Sequence, residues 1–314
     1  RGYLLLFFCH KYIKNYKGEK LMKNIMIFDG NYILRRSFYG VPELKTSKGF
    51  PTNAIKGALN TILYMKEKYS PDELIVAFDT AKPTFRHLMY NGYKATRDPA
   101  PEEFKIQRQA IVPILKTMNI CVIEKEGYEA DDIIGTISTI ESKAGNKVNI
   151  ISADHDLLQL CNDLVSLVVP NNPEDIWTPA EIMNEYSVTP KQFIDVKALM
   201  GDKSDNIPGA AGIGPKTASK LIHKYGNLFN IYMNISDIES NMSKGKSIST
   251  CLINSEDNIL LSKILATIKT DVELDAYNAN VSDNMLNEIS EQILGLYELN
   301  SIISILKNGN IVCL

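Results

Sequence analysis

The sequence predicts an α/β fold: a central, mostly parallel sheet flanked by helices, followed by a smaller helical module. Three observations predict it. Three short apolar runs each end in aspartate: Ile25-Met26-Ile27-Phe28 before Asp29, Leu74-Ile75-Val76-Ala77-Phe78 before Asp79, and Val148-Asn149-Ile150-Ile151-Ser152-Ala153 before Asp154, with Asp156 just beyond. Helical patterns separate these runs, as expected for parallel strands buried on both faces. From Pro190 the pattern becomes helical and is broken by a glycine-rich turn. In parallel sheets ligands bind beyond the carboxyl ends of the strands, and carboxylates gathered at that edge repel one another unless cations bind them. One strand ending in Asp is commonplace, as a turn or a helix N-cap; three in succession ask for more.

The elements follow in order. Fold-bearing sequence begins near Met22; residues 1–21 read as a tail or an overcalled start, and their apolar stretch Tyr3–Phe8 is too short to span a bilayer. Residues 31–39 suit a short helix carrying Arg35 and Arg36. Ile55, Ala58, Leu59, Ile62 and Leu63 recur at helical spacing behind Thr52 or Asn53 as N-cap. Residues 80–101 interleave Lys82, Arg86, His87, Lys94 and Arg97 with Phe85, Tyr90 and Tyr93 and show almost no apolar periodicity, as a functional loop or lid would. A helix resumes at Pro101, where Pro113 should kink it. Ile120–Ile123 makes another short strand, and a helix from about Ala130 buries Ile133, Ile134 and Ile137. Thr178-Pro179-Ala180-Glu181 is a capping box with proline at N1. These features divide the chain into 22–186, an α/β domain containing 80–101, and 187–314, a hairpin module with C-terminal helices.

The formal net charge is −3, weak grounds against nucleic acid, but setting aside nine suspected ligand carboxylates leaves a basic remainder of +6. Those nine are Asp29, Asp79, Glu129, Asp131, Asp132, Asp154, Asp156, Asp202 and Asp205. The five cysteines are scattered, with no CxxC, which fits a reducing cytosol and excludes a zinc site or a disulfide framework.

Gly127-Tyr128-Glu129-Ala130-Asp131-Asp132 puts three carboxylates in the first turn of a helix. Helix N-termini favour acids by about 0.3–1 kcal/mol each, yet capping needs one or two, and three repel unless an oxygen-seeking cation such as Mg²⁺ bridges them. Asp154-His155-Asp156 repeats the logic at a strand end, where i and i+2 share a side and His155 points away. A dehalogenase-type phosphatase also carries Asp-x-Asp after a strand, but after its first, where this chain has Asp29-Gly30-Asn31. Asp202 and Asp205 lie three apart between two helices. Gly212-Ile213-Gly214-Pro215-Lys216-Thr217 then opens a helix, where glycines let backbone amides approach a phosphate and Lys216 and Lys220 add charge. A lone GxG is weak evidence; at a helix start with lysine following, it points to sequence-independent binding of a DNA backbone.

On these stretches the chain resembles the 5′ nuclease (flap endonuclease) family, most closely the 5′→3′ exonuclease domain of bacterial DNA polymerase I in a stand-alone form. Phe28-Asp29-Gly30, Phe78-Asp79, Phe85-Arg86-His87, Tyr93-Lys94, Gly127–Asp132, Ser152–Leu157, Gly201–Ala218, Leu265–Asp271 and Tyr297-Glu298-Leu299 carry the resemblance, over about residues 22–307. It implies a PIN-like 5′ nuclease fold with a helix-hairpin-helix subdomain and a helical arch at 80–101. It implies two Mg²⁺ ions, with Mn²⁺ as a substitute: one held mainly by Asp79, Glu129, Asp131 and Asp154, the other by Asp156, Asp202 and Asp205, with Asp29 and Asp132 acting directly or through water. Lys94 and Arg86 would face the scissile phosphate, Arg36, Tyr93 and Arg97 the DNA, and Gly212, Gly214, Lys216, Thr217 and Lys220 the duplex, with K⁺ at the hairpin. The implied activity is a structure-specific 5′→3′ exonuclease or flap endonuclease in replication and repair. Its partners would be DNA with a free 5′ end or flap, or an RNA–DNA hybrid, and a separate polymerase, for a monomer in the cytoplasm at the nucleoid with no membrane attachment. A PIN-like RNA nuclease would lack the hairpin, and a silent DNA-binding scaffold would not need the complete acids.

Overall fold

The computed structural model describes residues 22–308; the reading of residues 1–21 as a tail lies outside them. Six strands form one sheet: β1 (Asn24–Asp29), β2 (Glu73–Phe78), β3 (Cys121–Glu124), β4 (Lys147–Ile151), β5 (Val165–Val168) and β6 (Ile176–Trp177), in the order β3-β2-β1-β4-β5-β6. All neighbours are parallel except β5 and β6. β5 and β6 were not expected; at four and two residues they are too short for a period to show.

Alternation along β1 and β2 builds two cores. Ile25, Ile27, Ile75 and Ala77 face one layer with Ile133, Ile134 and Ile137 of α5 (Ala130–Lys143). Met26, Phe28, Leu74, Val76 and Phe78 face the other, with Ile55, Leu59 and Ile62 of α2 (Asn53–Tyr69) and Ile111, Ile114 and Leu115 of α4 (Glu102–Thr117). α4 runs unbroken across Pro113. α1 (Gly30–Gly40) starts directly off β1, which needs glycine at position 30: a Cβ there would stand 2.5 Å from the Phe78 ring and 2.7 Å from the Ala77 carbonyl.

Within 80–101 the chain forms one short helix, α3 (Phe85–Met89), and then a run of turns. Beyond the sheet come α6 (Pro179–Tyr186), α7 (Pro190–Met200) and α8 (Pro215–Tyr225), then α9 (Leu228–Met233), α10 (Ile235–Asn241), α11 (Gly245–Asn254), α12 (Glu256–Ala266), α13 (Glu288–Leu296) and α14 (Asn300–Asn308). Ile213, Leu221 and Ile222 of the hairpin module join the core that also holds β1, so the module is packed onto the sheet layer. No described helix is long and apolar enough to cross a membrane.

Candidate active site

The strand order reverses direction between β1 and β4, and the carboxyl ends of these strands open the crevice where such sheets bind ligands. Asp29 ends β1, Asp79 follows β2, and Asp154 follows β4. Asp29 is buried; its Oδ1 accepts from the Tyr32 amide at 2.9 Å, capping α1, and its Oδ2 from Ser152 Oγ at 3.0 Å. Asp79 Oδ1 accepts from the Ala130 amide at 2.7 Å, fastening β2 to the first turn of α5. That turn carries Glu129 and Asp131 to the same cavity, of about 250 Å³, which Asp154, Asp156 and Asp205 also line. Asp202 and Asp205 sit in a loop closed by mutual backbone bonds between Asp202 and Ile207.

Crowding and burial set the electrostatics. Burial, then the charges of Asp79 and Asp154, push Asp29 up to about 7 despite its hydrogen bonds. Asp131 lies well above the usual carboxylate range through burial, then through Asp154 and Asp29. Burial raises Asp79 as well, and lifts Asp156 to about 6 against the pull of Lys197. Such a cluster seeks cations, and amines answer it here. Lys94 Nζ lies 2.6 Å from Glu129 Oε1 and 3.9 Å from Asp205 Oδ2, Arg97 pairs with Asp205, and Lys197 Nζ lies 2.6 Å from both Asp156 and Asp202. Burial works against the Lys94 charge, but Glu129 and Asp205 outweigh it and raise its pKa. With these amines in place, no three His, Cys, Asp or Glu side chains among the described residues stand at ligating spacing. The donor set itself, hard carboxylate oxygens around one cavity, suits Mg²⁺-like ions.

Three sequence-based expectations need correction. Tyr93 was expected to face DNA, but it is 4% exposed, and its hydroxyl donates toward Glu129 Oε2 (3.0 Å) and Asp205 Oδ2 (3.2 Å). Burial and those two charges raise its pKa, so it stays a neutral donor that joins carboxylates. Arg86 was expected at the scissile phosphate. It borders the cavity, but its guanidinium forks onto Asp132 at 2.7 and 2.8 Å and also donates to the carbonyls of Leu265 and Thr267. Asp132 was expected to act on an ion directly or through water. It is fully buried, and its oxygens accept from Arg86, the Glu129 amide and the Lys269 amide, so it anchors the turn that presents Glu129 and Asp131.

Other residues were passed over. Arg35, not Arg36, lines the cavity with Asn31 and Tyr32, and its guanidinium stands 5.4 Å from the Phe104 ring centroid. Arg35 and Asn31 are four apart and share a helix face, the signal that separates it from Arg36. Lys197 was missed inside an apolar helical run. His155 opens a 3₁₀ turn over residues 155–160 capped by Asp154, so the strand alternation used to place it does not hold; its ring meets Tyr186 Oη at 2.8 Å beside Trp177.

At the hairpin, Gly212 takes φ of +90°, the left-handed region that favours glycine. Gly214 does not: it N-caps α8 at φ of −92° with open space around its Cα. The amides of both make no hydrogen bond within the described residues, and Lys216 and Lys220 beside them are exposed.

Comparison with known proteins fits this geometry. The family model described as 5′-3′ exonuclease, N-terminal resolvase-like domain, matches residues 24–187, and that of the 5′-3′ exonuclease C-terminal SAM fold matches 188–290. A 5′-3′ exonuclease of Aquifex aeolicus is 37% identical, over 87% of this chain and 91% of its own length. DNA polymerase I of Caldicellulosiruptor bescii is 41% identical over 88% of this chain, which spans only 32% of that relative. A solved T5 5′-exonuclease with bound divalent zinc has a TM-score of 0.63 and 25% identity, covering 90% of this chain and 100% of its own. The catalytic core of Rad2 with DNA substrate, at TM-score 0.60 and 14% identity over 91% of this chain and 92% of its own, shares the fold. With the N-terminal match on the strand-end acids and the C-terminal match on the hairpin, the chain belongs to the 5′-3′ exonuclease family of nucleases.

Proposed function

We propose that this protein is a structure-specific 5′ nuclease that hydrolyses DNA phosphodiester bonds at a free 5′ end or 5′ flap, using two Mg²⁺ ions. The observation that carries the reading is the convergence of Asp29, Asp79, Glu129, Asp131, Asp154, Asp156 and Asp205 on one cavity beside Lys94. Residues 22–186 supply most of the acids, and 187–314 would add Asp202 and Asp205 together with the duplex contact. Asp79, Glu129, Asp131 and Asp154 would hold one ion, and Asp156, Asp202 and Asp205 the other. When bound, such ions supply an acidified water and offset charge on the phosphoryl group.

The chain's own residues do the rest. Asp132 holds the acid-bearing turn before α5 through its amide and arginine contacts, while Asp29 caps α1 and accepts from Ser152. Tyr93 spaces Glu129 from Asp205. Lys94 and Arg97 sit on carboxylates and would turn to the substrate phosphates as cations enter. Arg35 lines the far wall, placed to receive a phosphate or a base, and Arg36 lies one position further round. Gly212, Gly214, Lys216, Thr217 and Lys220 would grip the duplex backbone, with K⁺ at the hairpin. Mn²⁺ should replace Mg²⁺, and RNA–DNA hybrids and a polymerase partner fit the same chemistry.

The test is one gel with a 5′-labelled flap duplex, in Mg²⁺ or EDTA, with the 5′ end free or blocked. Cleavage should require Mg²⁺ and a free 5′ end. Mg²⁺-independent cutting, or none on any 5′-ended DNA, would overturn the reading.

A further inference from the structure

Lys197 is 6% exposed, in a helix whose Val196, Ala198 and Leu199 are all buried. A lysine this deep is rare unless paired. Its ammonium takes one oxygen from each of two carboxylates on different elements, 2.6 Å from Asp156 Oδ1 and 2.6 Å from Asp202 Oδ2. One carboxylate would suffice to tether α7. Spanning two puts the positive charge at the point between them where a cation shared by both would lie. The second oxygen of Asp202 is held by the Ser204 amide and hydroxyl, both at 2.7 Å, so that carboxylate is already oriented.

Lys94 approaches Glu129 from a turn, whose backbone is tied to the Asp205 carbonyl and the Asn206 side chain. Lys197 rides on a packed helix, so only its side chain can withdraw.

We propose that Lys197 is a positioning residue that serves as a resident cation for the Asp156–Asp202 pair, so that a divalent ion entering there must displace or share with its ammonium and is held more weakly than the ion at Asp79, Glu129, Asp131 and Asp154. The inference rests on the two-ion reading above. It makes this second position a graded one, filled at higher ion concentration than the first, by a device written into α7.

The experiment counts Mn²⁺ bound to the full chain without DNA, from the free-ion EPR signal, in the wild type, Lys197→Met and Lys197→Gln. The wild type should show a tight and a weak class. Both variants should tighten the weak class by at least about tenfold, since a cation within a few Å of the ion has gone, and leave the tight class within about twofold. Asp131→Asn should remove the tight class instead. A merely structural lysine would loosen the weak class or leave it unchanged when replaced, and either result would overturn the proposal. If neither variant folds, a Mn²⁺-soaked crystal of the wild type decides. Nζ should have left at least one carboxylate where anomalous density bridges the pair; density with both contacts intact, or none there, counts against it. Absence of any Mn²⁺ binding in the wild type would defeat the two-ion reading itself, whereas two classes indifferent to Lys197 would defeat only this inference.

Discussion

Arg86 grips Asp132 through both terminal nitrogens, at 2.7 and 2.8 Å, and joins segments that lie 46 residues apart. The same guanidinium donates to Leu265 and Thr267, and the same carboxylate accepts from Glu129 and Lys269. One buried ion pair therefore fixes the base of the 80–101 segment, the acid-bearing turn of α5 and the end of α12.

Removing one partner of such a pair leaves an uncompensated buried charge, which costs about 3–5 kcal/mol. Arg86→Ala should lower the unfolding free energy by about that amount in denaturant titration, and Asp132→Asn should do so to a lesser degree. The double variant should cost less than the sum of the two. Full stability with lost cleavage would return Arg86 to the phosphate.

The strand-end acids were legible because two local signals coincide: an apolar run buried on both faces, and a carboxylate where that run must stop. Asp29, Asp79 and Asp154 carry both. The turn before α5 was legible because three acids exceed what capping uses, although sequence could not tell Asp131 from Asp132; only the distant Arg86 decides which is taken up. Tyr93 misled because an aromatic in a polar stretch reads as exposed, and the carboxylates that bury it lie 36 and 112 residues away. Lys197 left a signal that went unused, a lysine flanked directly by Val196 and Ala198 in a helix.

Metal-free stability should depend on pH in a direction opposite to that of ordinary surface carboxylates. Asp29 rises to about 7 and Asp156 to about 6 in the fold, against an ordinary value near 3.8. Between those limits the folded state binds more protons than the unfolded one, so stability falls as pH rises. The melting temperature in EDTA should be higher at pH 5 than at pH 7.5 as far as these groups govern it. Mg²⁺ should raise it most at the higher pH, where the carboxylates are charged. A metal-free melting temperature that climbs steadily over this window would mean the cluster is not the dominant titrating unit.

Lys94 pairs with Glu129 and stands at the cavity with φ of +55°. Its charge should matter most as phosphoryl charge grows, so its loss should slow single-turnover cleavage by about 10²–10³ with a much smaller change in DNA affinity. Lysine already bears the left-handed strain here, so Lys94→Ala removes the amine without adding any; Lys94→Gly, which also relieves roughly 1–2 kcal/mol of that strain, is the control. If both variants bind weakly and cleave at the normal rate once saturated, Lys94 serves only to hold the substrate.

The two hairpin glycines should separate folding from binding. Gly212 sits at φ of +90°, so Gly212→Ala should cost about 1–2 kcal/mol of stability through backbone strain alone; the nearest atom to its new Cβ, Cys251 Sγ, is 3.6 Å away and leaves room. Gly214 has an ordinary φ and nothing within 4 Å, so Gly214→Val should cost only about 1 kcal/mol, the disadvantage of an apolar residue at an N-cap. The added side chain would, however, stand where a phosphate has to approach the open amides at the start of α8, and duplex affinity should fall. Lys216→Ala should lower the slope of log affinity against log salt by about one contact, without altering the fold. Both binding variants should still cleave at near-normal turnover under saturating DNA, because Lys94 and the acid cavity are untouched. If Gly214→Val binds duplex normally yet cleaves slowly, the hairpin is instead propping the Asp202–Asp205 loop, and the separation of grip at the hairpin from chemistry at the acid cavity fails.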